Sequence, residues 1–282
     1  MTRIFVSHSS ADSAEAAALG DWMRAEGWAD LFIDFDPYDG IAPGERWLNR
    51  LSDEADRCEA VVFLLSNNWL ASEWCLREYR LAIKLNKRIF GILIEDMPLD
   101  GFPPDLVEAW QLVNLISGTD HEMLRGSLPG GEQYRVPFSR TGLLRLRTGL
   151  SNAGLDNRFF VWPPADDPDR PPWRGMRPLE FEDAGILFGR DASIVLALDQ
   201  IRGMTGNPVA QSLVVLGASG AGKSSFVRAG LLPRLARDSQ NYFPFPVIRP
   251  GRRPIRGEEG LVASLNAMSQ KLRAGMTRAE IT

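Results

Sequence analysis

Residues 217–224 read Gly-Ala-Ser-Gly-Ala-Gly-Lys-Ser and constrain the fold of this chain more than any other segment. They match the phosphate-binding pattern G-x-x-x-x-G-K-[ST] in full. The apolar residues 212–216 before them predict a strand, and residues 223–235 predict a helix. In such a strand–loop–helix unit, backbone N–H groups and the helix N-terminus surround phosphate oxygens. The segment therefore predicts an α/β unit with a nucleotide site, rather than a glycine-rich turn without a ligand.

The residue types in this loop predict separate tasks for its side chains. The Lys223 amine reaches the β- and γ-phosphates, while the Ser224 hydroxyl is a ligand that Mg²⁺ accepts alongside water. The sequence thus predicts a site for ATP with Mg²⁺ on Ser224. The residues assigned to it are Gly217, Gly220, Gly222, Lys223, Ser224 and Ser225.

Hydrolysis in a site of this type also needs an acidic residue at the end of another strand. No apolar strand ending in Asp or Glu follows Ser224, and Glu258 and Glu259 lie in a polar stretch. The sequence therefore predicts nucleotide binding without turnover, in the front part of a longer NTPase domain.

The first 150 residues alternate short apolar runs with amphipathic stretches, which is typical of a parallel α/β sheet. Asp12 is a predicted helix N-cap and Gly27 a predicted C′ residue. Five parallel strands predict a flavodoxin-like, doubly wound domain with its ligand site at the carboxyl ends of the strands. Strands are predicted at residues 4–6, 31–33, 60–65, 88–94 and 112–116, and helices at 12–26, 47–57, 74–85 and 143–150.

The composition changes after this unit. Residues 162–178 contain six prolines, which predicts a stiff linker, and Trp162 and Trp173 within it are expected to pack on a neighbour. Beyond the linker, residues 192–202 predict a helix and residues 246–248 a strand. The predicted organisation is a first domain at 1–152, a linker at 153–178, and the N-terminal part of a P-loop domain at 179–282.

Charge and cysteine content narrow the function classes. The net charge of -4 predicts no nucleic-acid or membrane partner. The arginines within 249–256 have two interpretations, a solvated loop or a phosphate-binding segment. Two widely spaced cysteines argue against a disulfide framework. No signal peptide and no apolar run of about 20 residues is present, which predicts a cytoplasmic protein.

Three stretches of the first unit together resemble a TIR domain. They are residues 4–12, which read Ile-Phe-Val-Ser-His-Ser-Ser-Ala-Asp, residues 41–47, and residues 66–78. Asp34, after the second predicted strand, also fits. The resemblance covers about residues 1–150 and implies that residues 40–47 form a mobile gate beside the ligand site.

The chemistry that this resemblance implies is cleavage of NAD at its nicotinamide–ribose bond. In the TIR families that cleave NAD, the glutamate of the S-x-W-C-x-x-E pattern is catalytic, and residues 72–78 place Glu78 in that position. A carboxylate stabilises the oxocarbenium-like state, and the pyridinium leaves without help from a second, acidic carboxylate. The residues assigned to substrate binding are Ser7, His8, Asp34, Trp47, Trp74 and Cys75.

Spacing within the predicted fold supports a site at these positions. Ser7, Asp34 and Ser66 fall at the carboxyl ends of predicted strands and therefore converge on one edge of the sheet. Trp74 lies four residues before Glu78, so helical geometry puts both on one face. An aromatic ring and a carboxylate are thus expected beside the edge.

Each of these residues also has a simpler interpretation. Glu78 could form an ion pair with Arg46 or Arg77, and Trp74 could belong to the core of a TIR domain that only assembles with other TIR domains. His8 is a base or a hydrogen-bonding residue.

Two further assignments stay open in the same way. Cys75 could be a nucleophile, but nothing near it in the sequence would lower its pKa. Asp34 either contacts the substrate or caps the loop that follows it.

The second unit resembles the STAND class of signalling NTPases. The resemblance rests on residues 170–175, 188–191, 217–224 and 228–233. It implies that Gly189 and Arg190 help form the nucleotide pocket, with a surface salt bridge as the alternative for Arg190.

Together the two resemblances imply a bacterial TIR–STAND signalling or immune effector. Its NTPase region would bind ATP and oligomerise, and its self-associated TIR domains would cleave NAD to nicotinamide and a linear or cyclic ADP-ribose product. One alternative is a TIR adaptor that only recruits partners, with nucleotide binding as its switch. The other is a regulator whose main activity is NTP hydrolysis.

Overall fold

Five short apolar segments form the sheet that organises the first half of the chain. All neighbouring strands are parallel, in the order β2-β1-β3-β4-β5, which confirms the predicted flavodoxin-like sheet. The strands are β1 Ile4–Ser7, β2 Leu31–Ile33, β3 Ala60–Leu65, β4 Arg88–Leu93 and β5 Val113–Asn114. The computed structural model describes residues 4–28, 30–33, 35, 58–108, 112–153, 155, 160–204, 212–239, 241–248, 253–258 and 260–279.

The crossover helices begin mostly at serine caps. The Ser66, Ser72 and Ser139 hydroxyls accept backbone N–H groups of the helices that follow them. The predicted helices at 12–26, 74–85 and 143–150 are confirmed with shifted ends, and the one predicted at 47–57 lies outside the described residues. The helices are α1 Ser13–Ala25, α2 Asn67–Ala71, α3 Glu73–Lys84, α4 Pro104–Glu108 and α5 Arg140–Asn152.

The sheet is covered on both faces, and β3 is buried along its whole length. Ile4 and Val6 of β1 pack on one side with Leu19 of α1 and Leu146 of α5. Phe5, between them, belongs to the core on the opposite side. The alternation follows from the two-residue period of a strand. On that opposite side the helical residues of the core include Trp69, Tyr79 and Leu106.

An unpredicted hairpin lies against α1. Its strands, β6 His121–Ser127 and β7 Gln133–Ser139, are antiparallel and form a separate two-stranded sheet. The approach to α1 is close: a Cβ atom at Gly126 would lie 2.3 Å from the backbone nitrogen of Ala18. Glycine at this position is therefore required by packing.

The second unit consists of helices and extended segments. The predicted helices at 192–202 and 223–235 are confirmed, and the C-terminal helix was not predicted. The elements are a 3₁₀ turn at Phe181–Ile186, α6 Asp191–Met204, α7 Lys223–Ser225, a π-helical turn at Phe226–Leu231, α8 Leu232–Arg237 and α9 Leu261–Ala279.

The strands predicted at residues 212–216 and 246–248 are wrong as assigned. Both segments lack strand structure, and Val214 and Leu216 are 69% and 87% exposed. A strand is defined by hydrogen bonds to a neighbour, and no described residue pairs with either segment. Apolar character alone therefore predicted a strand where the ladder is missing.

Ion pairs fix the linker segment to the 3₁₀ turn. Arg170 Nε lies 2.5 Å from Asp183 Oδ1, and Arg174 Nη1 lies 3.1 Å from Asp183 Oδ2. Trp162 is half-buried, but Trp173 is 88% exposed, so the packing predicted for Trp173 is wrong. Among the helices that the structure describes, none is long and apolar enough to cross a membrane.

Candidate functional site

The carboxyl ends of β1 and β3 form the edge at which side chains of the first unit converge. β2 lies beside β1 and β4 lies on the far side of β3, so the chain leaves β1 and β3 toward opposite sides. In doubly wound sheets the ligand crevice lies between such a pair of strand ends. Ser7 is the last residue of β1 and pairs with Phe63 of β3. Ser66 directly follows β3. Two of the three predicted edge residues thus meet here, while Asp34 lies outside the described residues.

Helix α3 brings Glu78 to this edge. The Ser7 hydroxyl donates a hydrogen bond to Glu78 Oε2, and the Trp69 indole N–H lies 3.4 Å from the Ser7 oxygen. Glu78 is only 8% exposed. The structure therefore joins Ser7 and Glu78, which are 71 positions apart in the chain.

Arg77, one of the two suggested ion-pair partners of Glu78, contacts other residues. Its Nη2 lies 3.6 Å from Glu73 Oε2, one turn earlier on α3. Its guanidinium carbon also stacks 4.9 Å from the centre of the Trp74 ring. Trp74 is half-buried rather than a core residue. The other suggested partner of Glu78, Arg46, lies outside the described residues.

Asp12, predicted as a helix cap, is a second carboxylate at this edge. It stands before α1 as expected, but its side chain makes no capping hydrogen bond. Its Oδ2 instead accepts from the Ser66 hydroxyl at 2.6 Å, and its Oδ1 accepts from Asn68 Nδ2 at 2.8 Å. Asp12 is therefore the N-cap residue by position, as predicted, but its carboxylate does not cap the helix. The polar residues directly after β3 were the signal that could have suggested this pairing.

His8, the residue after Ser7, also lies at this edge. The half-buried His8 ring places Nε2 3.4 Å from Ser13 Oγ and meets Phe35 edge-on at 5.5 Å between ring centres. These contacts favour the hydrogen-bonding interpretation of His8 over a base. Trp47 and the predicted gate at 40–47 lie outside the described residues.

Cys75 lies beneath the edge as a buried thiol. Its pKa is raised to about 12, mainly by burial; the nearby Glu78 and Asp12 carboxylates act in the same direction, and a hydrogen bond to Ser72 acts against them. A thiol with such a pKa is protonated at neutral pH and is a poor nucleophile.

This raised pKa predicts slow alkylation of Cys75 in the folded protein. The thiolate forms only as the pH rises toward about 12, so at about pH 8 its population is roughly a thousandfold below that of a free cysteine. We expect iodoacetamide to label the Cys75 peptide slowly in the native chain and fully after denaturation, as measured by mass spectrometry. Fast native labelling at pH 8 would contradict a protonated thiol.

The phosphate-loop residues form an exposed turn ahead of α7. Gly220 and Gly222 have φ values of 79° and 82°, a left-handed conformation that glycine adopts without strain. Lys223 Nζ folds over the loop and donates to the carbonyl oxygens of Gly217 and Ala218, both at 2.7 Å. The lysine amine thus lies within the loop, where a phosphate would compete for it.

The other residues assigned to this loop have individual contacts. Ser224 is exposed, whereas the Ser225 hydroxyl accepts the backbone N–H of Leu179 at 3.0 Å and so anchors the chain before the 3₁₀ turn. Arg190 Nη2 donates to the Ala221 carbonyl at 3.0 Å. Arg190 therefore lies beside the loop, as expected if it belongs to the nucleotide pocket.

Comparison with known families gives two matches. A family model described as a TIR domain matches residues 4–126, and one described as Novel STAND NTPase 1 matches residues 172–280. The first span contains Ser7, Asp12 and Glu78, and the second contains Arg190 and the phosphate loop. The curated proteins include none similar enough to match this chain.

Proposed function

Because this chain is a fusion of a TIR domain and a STAND NTPase region, and hence a TIR-based signalling effector, we propose that it cleaves NAD. The products would be nicotinamide and an ADP-ribose, linear or cyclic. The observation that carries the proposal is the Glu78 carboxylate, buried at the crevice between β1 and β3 and held there by the Ser7 hydroxyl.

The proposed reaction breaks the C–N bond between nicotinamide and ribose. The bonding electrons leave with the pyridinium nitrogen, so nicotinamide departs neutral and positive charge develops on the ribose. The Glu78 carboxylate stabilises that charge, and its burial strengthens the attraction because little water screens it. Attack by water on the ribose carbon, with loss of a proton, gives linear ADP-ribose.

Ser7 and Asp12 support this chemistry in different ways. The Ser7 hydroxyl fixes one oxygen of Glu78, which orients the carboxylate before the substrate arrives. Asp12 fixes Ser66 and, through Asn68, the chain that follows β3. Both contacts make the crevice rigid at the positions where the ribose would bind.

The experiment that tests this function is incubation of the full chain with excess NAD, with and without a reagent that clusters the protein. TIR domains commonly self-associate, so clustering is expected to increase the rate. Nicotinamide and ADP-ribose are measured by chromatography. If neither condition releases nicotinamide, the TIR domain is an adaptor that only assembles with partners.

The second part of the proposal is that the loop at 217–224 binds ATP with Mg²⁺. The residues fit this group: a Cβ atom at Gly220 or Gly222 would meet no atom within 4 Å, and the loop is exposed. Lys223 and Arg190 would hold the phosphates, and Ser224 would hold the metal ion, which neutralises phosphate charge when bound. We propose that this chain binds the nucleotide without hydrolysing it.

Replacement of Lys223 by alanine is expected to weaken ATP binding about 10- to 100-fold. The amine contributes a charge-assisted hydrogen bond worth roughly 1.5–3 kcal/mol, and each 1.4 kcal/mol is about tenfold in affinity. Lys84→Ala, an exposed lysine at the end of α3, is the matched control. Titration calorimetry with ATP and Mg²⁺ measures both, and equal affinities would disprove the role of Lys223. Phosphate release by the wild-type chain would contradict binding without turnover.

A further inference from the structure

The amino-terminal ends of β3 and β4 carry charged residues that are buried instead of solvated. Glu59 immediately precedes β3, and Lys87 immediately precedes β4. Because the strands are parallel, these residues lie at the edge of the sheet opposite Ser7 and Ser66. Glu59 is 2% exposed and Lys87 is 3% exposed, so something covers this edge.

The cover is formed by helices of the STAND region. Lys87 Nζ lies 2.5 Å from Asp199 Oδ2 of α6 and 3.0 Å from the Cys58 carbonyl. Glu59 Oε2 lies 2.6 Å from Arg237 Nη2, at the end of α8. We call these contacts, together with the Arg88–Asp238 pair, the interdomain ion cluster.

The charged groups of this cluster are removed from water, so each of them depends on its partner. Burial raises the pKa of Asp199 to about 6, although Lys87 and Arg202 oppose that rise. The guanidinium groups of Arg234 and Arg237 also stack on the Phe160 ring, at 5.0 and 4.7 Å from its centre. Buried ion pairs add little net stability, but losing one partner is costly. Loss of one partner from the cluster is therefore expected to disfavour the docked arrangement.

The two helical segments that carry the cluster, α6 and residues 223–237, both approach the phosphate loop at their N-terminal ends. α6 begins at Asp191, next to Arg190, which contacts the loop carbonyl of Ala221. The helical segment 223–237 begins at Lys223 of the loop itself and ends at Arg237. Each segment spans about 20 Å at 1.5 Å per residue, so each connects the nucleotide site to the TIR edge.

The two segments also pack on each other. Ile194 and Leu198 of α6 form a core with Leu231. Gly230 allows the close approach, because a Cβ atom there would lie 3.1 Å from Ile194 Cδ1. Side-chain contacts therefore run along this pair from its loop end toward the ion cluster.

We infer that the interdomain ion cluster couples nucleotide binding at residues 217–224 to docking of the TIR domain on α6 and α8. The inference rests on the proposed nucleotide function of the loop, and it adds the surface through which that function reaches the TIR domain. Any nucleotide that binds the docked and undocked arrangements unequally shifts docking, and docking shifts nucleotide affinity by the same factor.

This reciprocity makes a TIR residue a determinant of nucleotide affinity. Lys87→Met in the full chain should change the dissociation constant of ATP–Mg²⁺ by about fivefold or more, as is typical of coupled sites. Asp199→Leu should have a similar effect, and the double variant should show non-additivity because the two residues are partners. Arg24→Gln is the control, since its pair with Asp21 is exposed and lies on α1.

Two measurements keep the test decisive if Lys87→Met folds poorly. Arg202→Gln removes a half-buried partner of Asp199 and is a milder change. Hydrogen exchange of the wild-type chain, with and without ATP–Mg²⁺, should show altered protection at residues 87–89 and at the C-terminal turn of α6. Unchanged protection at saturating ATP, with unchanged affinity in the variants, would overturn the coupling.

The outcomes for coupling and for the proposed function are separable. ATP that binds and affects exchange in a chain that releases no nicotinamide would support the coupling and refute NAD cleavage. NAD cleavage without any response of the interface to bound ATP would refute the coupling alone. Failure of ATP to bind would refute both the nucleotide part of the function and the coupling.

Discussion

Replacement of Glu78 by glutamine is expected to lower NAD cleavage about 10²- to 10³-fold, the range seen when one preorganised electrostatic contact to a transition state is lost. The side chain keeps its shape, and its amide oxygen still accepts the Ser7 hydroxyl. What disappears is the negative charge facing the developing cation. Initial rates of nicotinamide release over a range of NAD concentrations would show a fall in kcat rather than a rise in KM.

Glu73 provides the matched control for this variant. It lies on the same helix, its side chain is 86% exposed, and its pair with Arg77 is a surface contact. Glu73→Gln should therefore retain the wild-type rate, and both variants should unfold near the wild-type temperature. Equal loss in both variants, or near-normal activity of Glu78→Gln, would refute the assignment of Glu78.

The second large effect is expected at the interdomain ion cluster. Glu59→Gln should destabilise the folded chain by about 3–5 kcal/mol, because Arg237 and Arg234 would stay buried without their counter-charge. Urea unfolding measures this loss as a change in the free energy of unfolding.

The pH dependence of this effect follows from the pKa of Glu59. Burial acts to raise it, but the surrounding positive charges, led by Arg237 and Arg234, outweigh burial, and the pKa lies below its ordinary value of 4.5. A lowered pKa contributes stability that is present above 4.5 and is lost as the pH falls through the folded-state value. The difference between wild type and Glu59→Gln should therefore be full at neutral pH and shrink in acid.

Glu122→Gln is the surface counterpart of that variant. Glu122 lies 3.6 Å from Arg140, and both side chains are largely solvated. Exposed pairs of this kind contribute roughly 0–1 kcal/mol. If Glu122→Gln lowered the free energy of unfolding as much as Glu59→Gln, the buried cluster would contribute no more to stability than a surface ion pair.

The parallel sheet was predictable because its signals are local. An apolar run such as residues 60–65 indicates a strand buried on both faces, and the intervening helices fix the strands as parallel. The hairpin at residues 121–139 was missed because its inner faces bury few apolar side chains, mainly Leu124, Val136 and Phe138, in otherwise polar strands. The false strand at 212–216 has the opposite cause, since its apolar side chains lack a paired neighbour.

In the candidate site, too, local patterns predicted some residues and missed others. The sequence placed Ser7 and Glu78 at one edge because strand ends and helical spacing are regular. It assigned Asp12 to a local cap, yet its partner Ser66 is 54 positions away. Glu59 and Arg237 are 178 positions apart. A charged residue in a sequence predicts an exposed side chain, because most charged residues are exposed and few are buried in a pair. Tertiary pairing of charges is therefore the information that local patterns lack.

Because the strands are parallel, the proposed substrate site and the interdomain ion cluster lie at opposite edges of the sheet. β3 contains six residues, about 20 Å of extended chain, with Glu59 before one end and Ser66 after the other. A small molecule designed against the Glu78 crevice would consequently leave the contacts with α6 and α8 untouched. An inhibitor that mimics the substrate and a compound that disrupts the interdomain contacts should thus bind the protein at the same time. Neither should compete with the other, because their sites are separate.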